Sequence, residues 1–261
     1  MKTIAHLTLS TLLLLALTGC ATTGEPQDPL AEGPYDPLEN FNRVMFRVND
    51  TLDEAALKPT ATAYQQYVPS FVQTGVGNFF GNISDVWTMA NSFMQLKVGD
   101  GLEGFMRVAV NSTFGIGGLL DVSGAAGIPK RNEDFGQTMG YWGVPSGPYL
   151  VLPLLGPSTI RDTAGLPVDA AGNVWSYANP EAYRIAGTVI RVIDQRAAFL
   201  GATNLMEEVA LDKYQFVRDS FLQSRESQVN DRGWNDGDAP AKPLEGRTFG
   251  RFVRGLIPIR R

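Results

Sequence analysis

The chain has 261 residues, 44% of them apolar and 19% charged, with a formal charge of −5. That is the composition of a folded protein, long enough to bury roughly 70 to 75% of its unfolded surface without a metal or a disulfide framework. The single His6 and the single Cys20 both belong to the opening segment, so a processed chain has no histidine and no free thiol, and the acidic balance gives no nucleic-acid footprint.

Met1 and Lys2 make a short basic start, Leu7–Leu17 an apolar run too short for a bilayer core of about 30 Å, and Leu17-Thr18-Gly19-Cys20 follows directly. That order is a signal peptide over residues 1–19. Leu-Thr-Gly-Cys resembles a bacterial lipobox, in which Cys20 becomes the lipidated first residue of the mature chain; a plain signal peptide cut nearby is the alternative. Each buried CH₂ contributes about 0.8 kcal/mol, so several acyl chains on one Cys hold durably. Ala21 follows in place of Asp, which resembles the sorting pattern for release to the outer membrane. The covalent lipid is the one added group expected, with no cofactor and no metal. Residues 20–35 are small, polar and proline-punctuated, as a tether would be.

The body spans residues 36–229. Asp36-Pro37 reads as an N-cap and a first-turn proline, and Leu38, Phe41, Met45, Val48 and Leu52 recur at three and four residues, predicting a helix with one apolar stripe that stops before Pro59. From Gly75 to Gly147 glycine recurs inside apolar windows. Each interior glycine costs a helix about 1 kcal/mol relative to Ala, so the concentration needs a reason. Gly77 with Gly81 and Gly136 with Gly140 lie four apart, the spacing that lets helices approach closely in lipid. Turns between short helices account for the same residues equally well. Tyr149 to Leu155, between two Gly-Pro pairs, is the best extended segment, a hairpin or a loop. Ile185, Val189, Val192 and Phe199 predict another one-faced helix, which Leu211, Tyr214 and Phe221 continue. No mature segment is apolar for long enough to span a bilayer. Residues 230–261 read as a linker and a tail with five Arg and no acid after residue 246. The tail either docks on anionic headgroups or stays disordered.

Without His, the mature chain builds no Ser-His-Asp or Cys-His site, no His-ligated zinc site and no His base. Gly-x-Ser-x-Gly, a Walker loop and a well-placed dinucleotide fingerprint are also missing. The adjacent acids Glu133-Asp134 and Glu207-Glu208 are poorly spaced to flank a scissile bond at about 5 to 10 Å and read as solvated helix-end charges. Asp121, Arg161 and Asp162 sit among apolar residues, where unpaired charge is costly, and predict structural ion pairs. No catalytic residue is assigned.

Asp36-Pro37-Leu38-Glu39-Asn40-Phe41-Asn42-Arg43 resembles the opening motif of the MlaA (VacJ) family of outer-membrane lipoproteins. Further matches follow in the family's order: Tyr67-Val68-Pro69, Asn78 to Asn82, Arg107, Asn111 to Gly118, Asp121-Val122, Asp134 to Gly140, Gly147-Pro148-Tyr149, Leu152-Pro153, Arg161-Asp162, and Tyr214 with Arg218 in the last helix. The resemblance covers about residues 36 to 225. It implies an all-α fold, a ring-like bundle of amphipathic and Gly-rich helices around a channel with one short hairpin or loop element. Such proteins sit in the inner leaflet of the Gram-negative outer membrane, facing the periplasm. They take phospholipids mislocalised in the outer leaflet, pass them to a soluble periplasmic carrier, and associate with trimeric porins. Residue by residue, the resemblance places the channel or lipid path at Asn78, Phe79, Asn82, Asn111, Gly115, Gly117, Gly118, Tyr149, Leu152 and Arg161; helix capping or buried hydrogen bonding is the competing role for the polar ones. Apolar side chains outside and a polar passage inside would meet the demands of tails and headgroup. A porin-bound scaffold that moves no lipid is the second reading, and a carboxylate-based hydrolase the third.

Overall fold

The computed structural model describes residues 36–230. The signal segment, Cys20, the tether and the Arg-rich tail lie outside the described residues, as do the expectations made for them.

Helix α1 (Glu39–Leu52) begins after Asp36 rather than on it. Asp36 Oδ1 accepts from the backbone N of Leu38 at 3.2 Å and from Asn42 Nδ2 at 3.1 Å, so it closes a turn ahead of the helix in place of capping it. Nor does Pro59 stop the helix. A π-turn, Asp53–Leu57, runs straight into α2 (Lys58–Tyr67), with Pro59 in its first turn. The wider turn makes room for a ring that would strike the carbonyl four residues back in a regular helix. Helix α2 then packs Ala61 and Tyr64 on Ala197 and Leu200.

Helices α3 (Ser70–Met94) and α4 (Val98–Phe114) run antiparallel, Phe93 meeting Gly101, Met89 meeting Gly104, and Asn82 meeting Ser112. A single turn, α5 (Val122–Ala125), and α6 (Phe135–Tyr141) follow. The extended segment at Tyr149 is one arm of a hairpin, β1 (Tyr149–Leu152) against β2 (Gly156–Thr159), with Tyr149 opposite Thr159 and Leu152 opposite Gly156. Next come α7 (Ile160–Gly172), a 3₁₀ turn (Val174–Tyr177), α8 (Glu181–Val209) and α9 (Lys213–Val229). The fold is all-helical apart from the hairpin. The stripe expected to continue from Ile185 to Phe221 is broken between α8 and α9: Asp212 accepts from the backbone N of Tyr214 and Gln215 and caps a new helix, leaving Leu211 fully exposed. Gly77, Gly81, Gly136 and Gly140 all lie within helices, so turns do not account for these four.

Helix α1 completes the hairpin. Asn42 Nδ2 donates to the Tyr149 carbonyl at 3.0 Å and its Oδ1 accepts from Val151 N at 2.8 Å. About two helical turns further on, on the same face, Asn49 Nδ2 donates to the Leu152 carbonyl at 2.9 Å and its Oδ1 accepts from Leu154 N at 2.8 Å. Two side-chain amides thus stand where a third strand would, satisfying an edge whose backbone groups would otherwise go unpaired. Behind them Tyr149, Val151 and Tyr214 form a small apolar core with Met45, Phe46, Phe221 and Leu222.

Burial is reversed relative to a water-soluble protein. Among the described residues, seven apolar side chains are buried against nineteen polar or charged ones, so the interior is held by hydrogen bonds and ion pairs more than by hydrocarbon packing. On α3 the buried residues are Phe80, Asn82, Asp85, Thr88, Asn91 and Ser92, all but one polar, while Phe71, Val72, Phe93 and Met94 are exposed. The stripes read from the sequence turn outward in large part. Phe41, Val48 and Leu52 on α1 and Ile185, Val189, Val192 and Phe199 on α8 are exposed, whereas Leu38 is half-buried and Met45 packs on the hairpin core, and the buried residue of α1 is Asn42. Exposed apolar area on this scale marks contact with something other than water. No helix of the described residues is long and apolar enough to cross a membrane.

Candidate functional site

The predicted site residues fall in three places. Asn78, Asn82, Asn111 and Gly115 to Gly118 come together where α3 passes the end of α4. Asn78 Nδ2 donates to the Leu119 carbonyl at 3.1 Å and Asn82 Nδ2 to Ser112 Oγ at 3.0 Å. Asn111 is buried and fully engaged: Nδ2 donates to Asp121 Oδ1 and Oδ1 accepts from Ser123 N, both at 2.9 Å. Arg107 braces the same corner, donating to Asp85 at 3.2 Å, Asp121 at 3.0 Å and the Ile128 carbonyl at 2.7 Å. Gly115 closes the turn by accepting from Leu120 N at 2.9 Å, and Gly117 and Gly118 take φ of 67° and 94°. Gly118 also lies so close to α3 that a methyl group there would be 2.7 Å from Asn82 Nδ2. Phe79 faces elsewhere, edge-on to Phe80 and Trp175.

Tyr149 and Leu152 belong to the hairpin. Tyr149 is buried edge-on to Tyr214, whose hydroxyl donates to Asp36. Arg161 lies in a third cluster, buried with its guanidinium on Asp162 at 2.9 Å. Asp162 in turn accepts from Arg225 Nε at 2.9 Å, and Arg225 grips Asp134 through both terminal nitrogens at 2.7 and 2.9 Å. The expected ion pairs at Asp121, Arg161 and Asp162 are therefore present. Asp134 caps α6 through Gln137 N. Its neighbour Glu133 departs from the solvated helix-end charge read from the sequence, since its side chain is buried on Lys97 at 3.1 Å and Gln95 at 2.8 Å. Glu207 stays exposed, on Lys58 at 3.1 Å.

Between α3, α6, α7, α8 and α9 lies a cavity of about 440 Å³, walled by Ser84, Trp87, Thr88, Asn132, Glu133, Asp134, Gln137, Leu166, Asp169, Asn173, Arg191, Arg225 and Gln228. Its size falls within the range of small-molecule sites. None of the ten residues assigned from the sequence lines it; Arg161 comes nearest in connection, through Asp162 and Arg225. Among the described residues, two charged wall residues have no ion-pair partner within 4.0 Å. Arg191 Nη2 donates to Ser84 Oγ at 2.9 Å, its guanidinium lies 5.8 Å from the Phe80 ring, and it is in no ion pair among the described residues. Burial pushes this guanidinium down from its ordinary value. Asp169 uses Oδ1 for two neutral donors, Trp87 Nε1 and Phe135 N, both at 2.8 Å. Burial pushes its carboxyl up, and neither those two hydrogen bonds nor the more distant charge of Arg225 offsets it. A signal for Arg191 was available: it is the lone charge within Val189-Ile190-Arg191-Val192-Ile193, and a charge in an apolar run needs a use.

Residues 34–228 match the model of the MlaA lipoprotein family. The chain belongs to that family. A Shigella flexneri protein described as an intermembrane phospholipid transport system lipoprotein MlaA is 36% identical over 82% of this chain and 84% of its own length. A Haemophilus influenzae protein of the same description is 30% identical over 88% of this chain and 92% of its own. A solved structure described as the structural basis for maintenance of bacterial outer membrane lipid asymmetry superposes with a TM-score of 0.67 at 34% identity, covering 76% of this chain and all of the other. The hairpin, the polar interior and the apolar exterior are thus those of an MlaA-family body.

Proposed function

We propose that this chain is an outer-membrane lipoprotein that removes phospholipid mislocalised in the outer leaflet and passes it, through a polar passage in its own body, to a soluble periplasmic carrier. Its place is the inner leaflet, held by acyl chains on Cys20 and facing the periplasm, with trimeric porins as neighbours. The observation that carries this reading is the reversal of burial. A lipid changing membranes must keep its headgroup solvated and its tails dry, because charge in hydrocarbon and hydrocarbon in water are both costly. A body with a polar cavity walled by Ser84, Asn132, Gln137 and Arg191, and with Phe71, Leu102, Phe105 and Phe114 exposed on its outside, offers a surface for each half of such a molecule. Several exposed side chains cluster near the α3–α4 pair, so the pair can lie in lipid without a spanning helix. No bond is made or broken, and no catalytic residue is required.

The test is outer-leaflet phospholipid in intact cells lacking the protein, complemented with the wild-type chain or Cys20→Ala at matched expression. A rise in the null strain that only the lipidated form reverses is the expected result. No rise would overturn lipid removal and leave the porin-bound scaffold.

A further inference from the structure

We infer that the 440 Å³ cavity is a headgroup subsite for a zwitterionic phosphate ester bearing a primary ammonium, with the Arg191 guanidinium holding the phosphate and Asp169 Oδ2 the ammonium. The inference rests on the transport reading above and adds a headgroup class to it.

The charges of the wall divide into those already matched and those left over. Glu133 is matched by Lys97, and Asp134 and Asp162 by Arg225, with Arg161 also on Asp162. The other half-buried or buried arginines among the described residues, Arg43, Arg107, Arg131, Arg161, Arg184, Arg196, Arg218 and Arg225, each have a carboxylate within 4.0 Å. Arg191 has Ser84 and the Phe80 face only. A guanidinium that burial strips of water and that meets no carboxylate keeps free N–H donors in fork geometry, which suits a phosphate. The serine holds the fork in place without neutralising it.

On the opposite account stands Asp169. Both of its hydrogen bonds come from neutral donors to Oδ1, so Oδ2 has no partner among the described residues. Its carboxyl is held up by burial, and an arriving ammonium would bring it back down. One cation and one anion in a single cavity, neither of them in an ion pair among the described residues, favour a ligand that carries both charges. A purely anionic headgroup would satisfy Arg191 and leave Asp169 facing more negative charge.

The full-length lipidated protein, purified in detergent, is loaded from vesicles of equal parts phosphatidylethanolamine and phosphatidylglycerol, and the lipid carried is quantified by mass spectrometry. In a parallel arm soluble glycerophosphoethanolamine is offered without vesicles. Wild type is expected to carry more phosphatidylethanolamine than phosphatidylglycerol. Arg191→Gln, which keeps a donor for Ser84, should lower both by about tenfold, the loss of one charge-assisted contact, while Arg191→Lys retains most of the binding. Asp169→Asn, which keeps the acceptor for Trp87, should lower the phosphatidylethanolamine carried and bring the two lipids to parity. Circular dichroism and melting confirm that each variant is folded. A folded Arg191→Gln protein with the wild-type lipid load, or an Asp169→Asn protein with the wild-type preference, overturns the subsite. Wild type that carries no phospholipid at all overturns the transport reading itself, and retention of the soluble headgroup without the lipid replaces a lipid subsite by a metabolite one.

Discussion

The hairpin region and the cavity wall are both rich in polar side chains, and they use them in opposite ways. Around the hairpin, Asn42, Asn49, Asp36 and Tyr214 hydrogen-bond to one another and to backbone groups around a small apolar core, with the buried Tyr149 hydroxyl the exception that has no partner among the described residues. Around the cavity the polar groups are also buried and mostly paired, but Arg191 and Asp169 are left with capacity facing empty space. A satisfied polar cluster is architecture; a polar cluster with capacity left over on the wall of a cavity is where a ligand belongs.

That contrast can be broken from the cavity side first. Arg225→Met removes the cation shared by Asp134 and Asp162, leaving Asp134 without an ion pair and Asp162 with Arg161 alone, and should cost about 3 kcal/mol, read as a fall in the denaturation midpoint in detergent. From the hairpin side, Asn42→Ala strips partners from the buried Tyr149 carbonyl and Val151 N, with an expected loss of about 2 to 4 kcal/mol in the same assay. Gly118→Ala should cost about 1 to 3 kcal/mol, because its φ is positive and Asn82 stands in the way. Acid sharpens the comparison further. Burial works against the charge on Asp121, but hydrogen bonds from Gly124 N, Asn111, Ser123 and Arg107 outweigh it and hold the carboxyl well below the usual range. A depressed folded value means the contribution is present above the unfolded value of about 3.9 and is lost as pH falls below it. Asp121→Asn should therefore be less stable than wild type at about pH 7, and the gap should close as melting is followed below about pH 4. The smallest change in folding is expected on the outside: Phe71→Glu should melt like wild type in detergent yet weaken association with vesicles, since Phe71 touches no core.

Local chemistry was the legible part of this fold. Gly147-Pro148 and Gly156-Pro157 bracket the hairpin, and the three- and four-residue recurrence of Leu38 to Leu52 places α1. What such periodicity does not say is which way a stripe faces, and here Phe41, Val48 and Leu52 face out because the solvent assumed by the usual rule is water. The break before α9 is marked by Asp212 ahead of a helical run, and the period that Tyr214 and Phe221 keep across it hides the mark. At the site, the matched motif residues Asn111, Tyr149 and Arg161 prove to hold the body together, whereas the cavity wall is assembled from α3, α6, α7, α8 and α9. No single stretch of sequence contains it, so only the lone charge at Arg191 could have pointed there.

The paired amides of α1 amount to a vernier. Seven residues of helix at about 1.5 Å rise advance roughly 10.5 Å, and the three strand residues from Tyr149 to Leu152 at about 3.3 Å advance roughly 10 Å. The two scales coincide at Asn42 and again at Asn49, and nowhere between. A slip of one residue along either element releases both amides at once, so helix and hairpin can only move as one piece or come apart altogether.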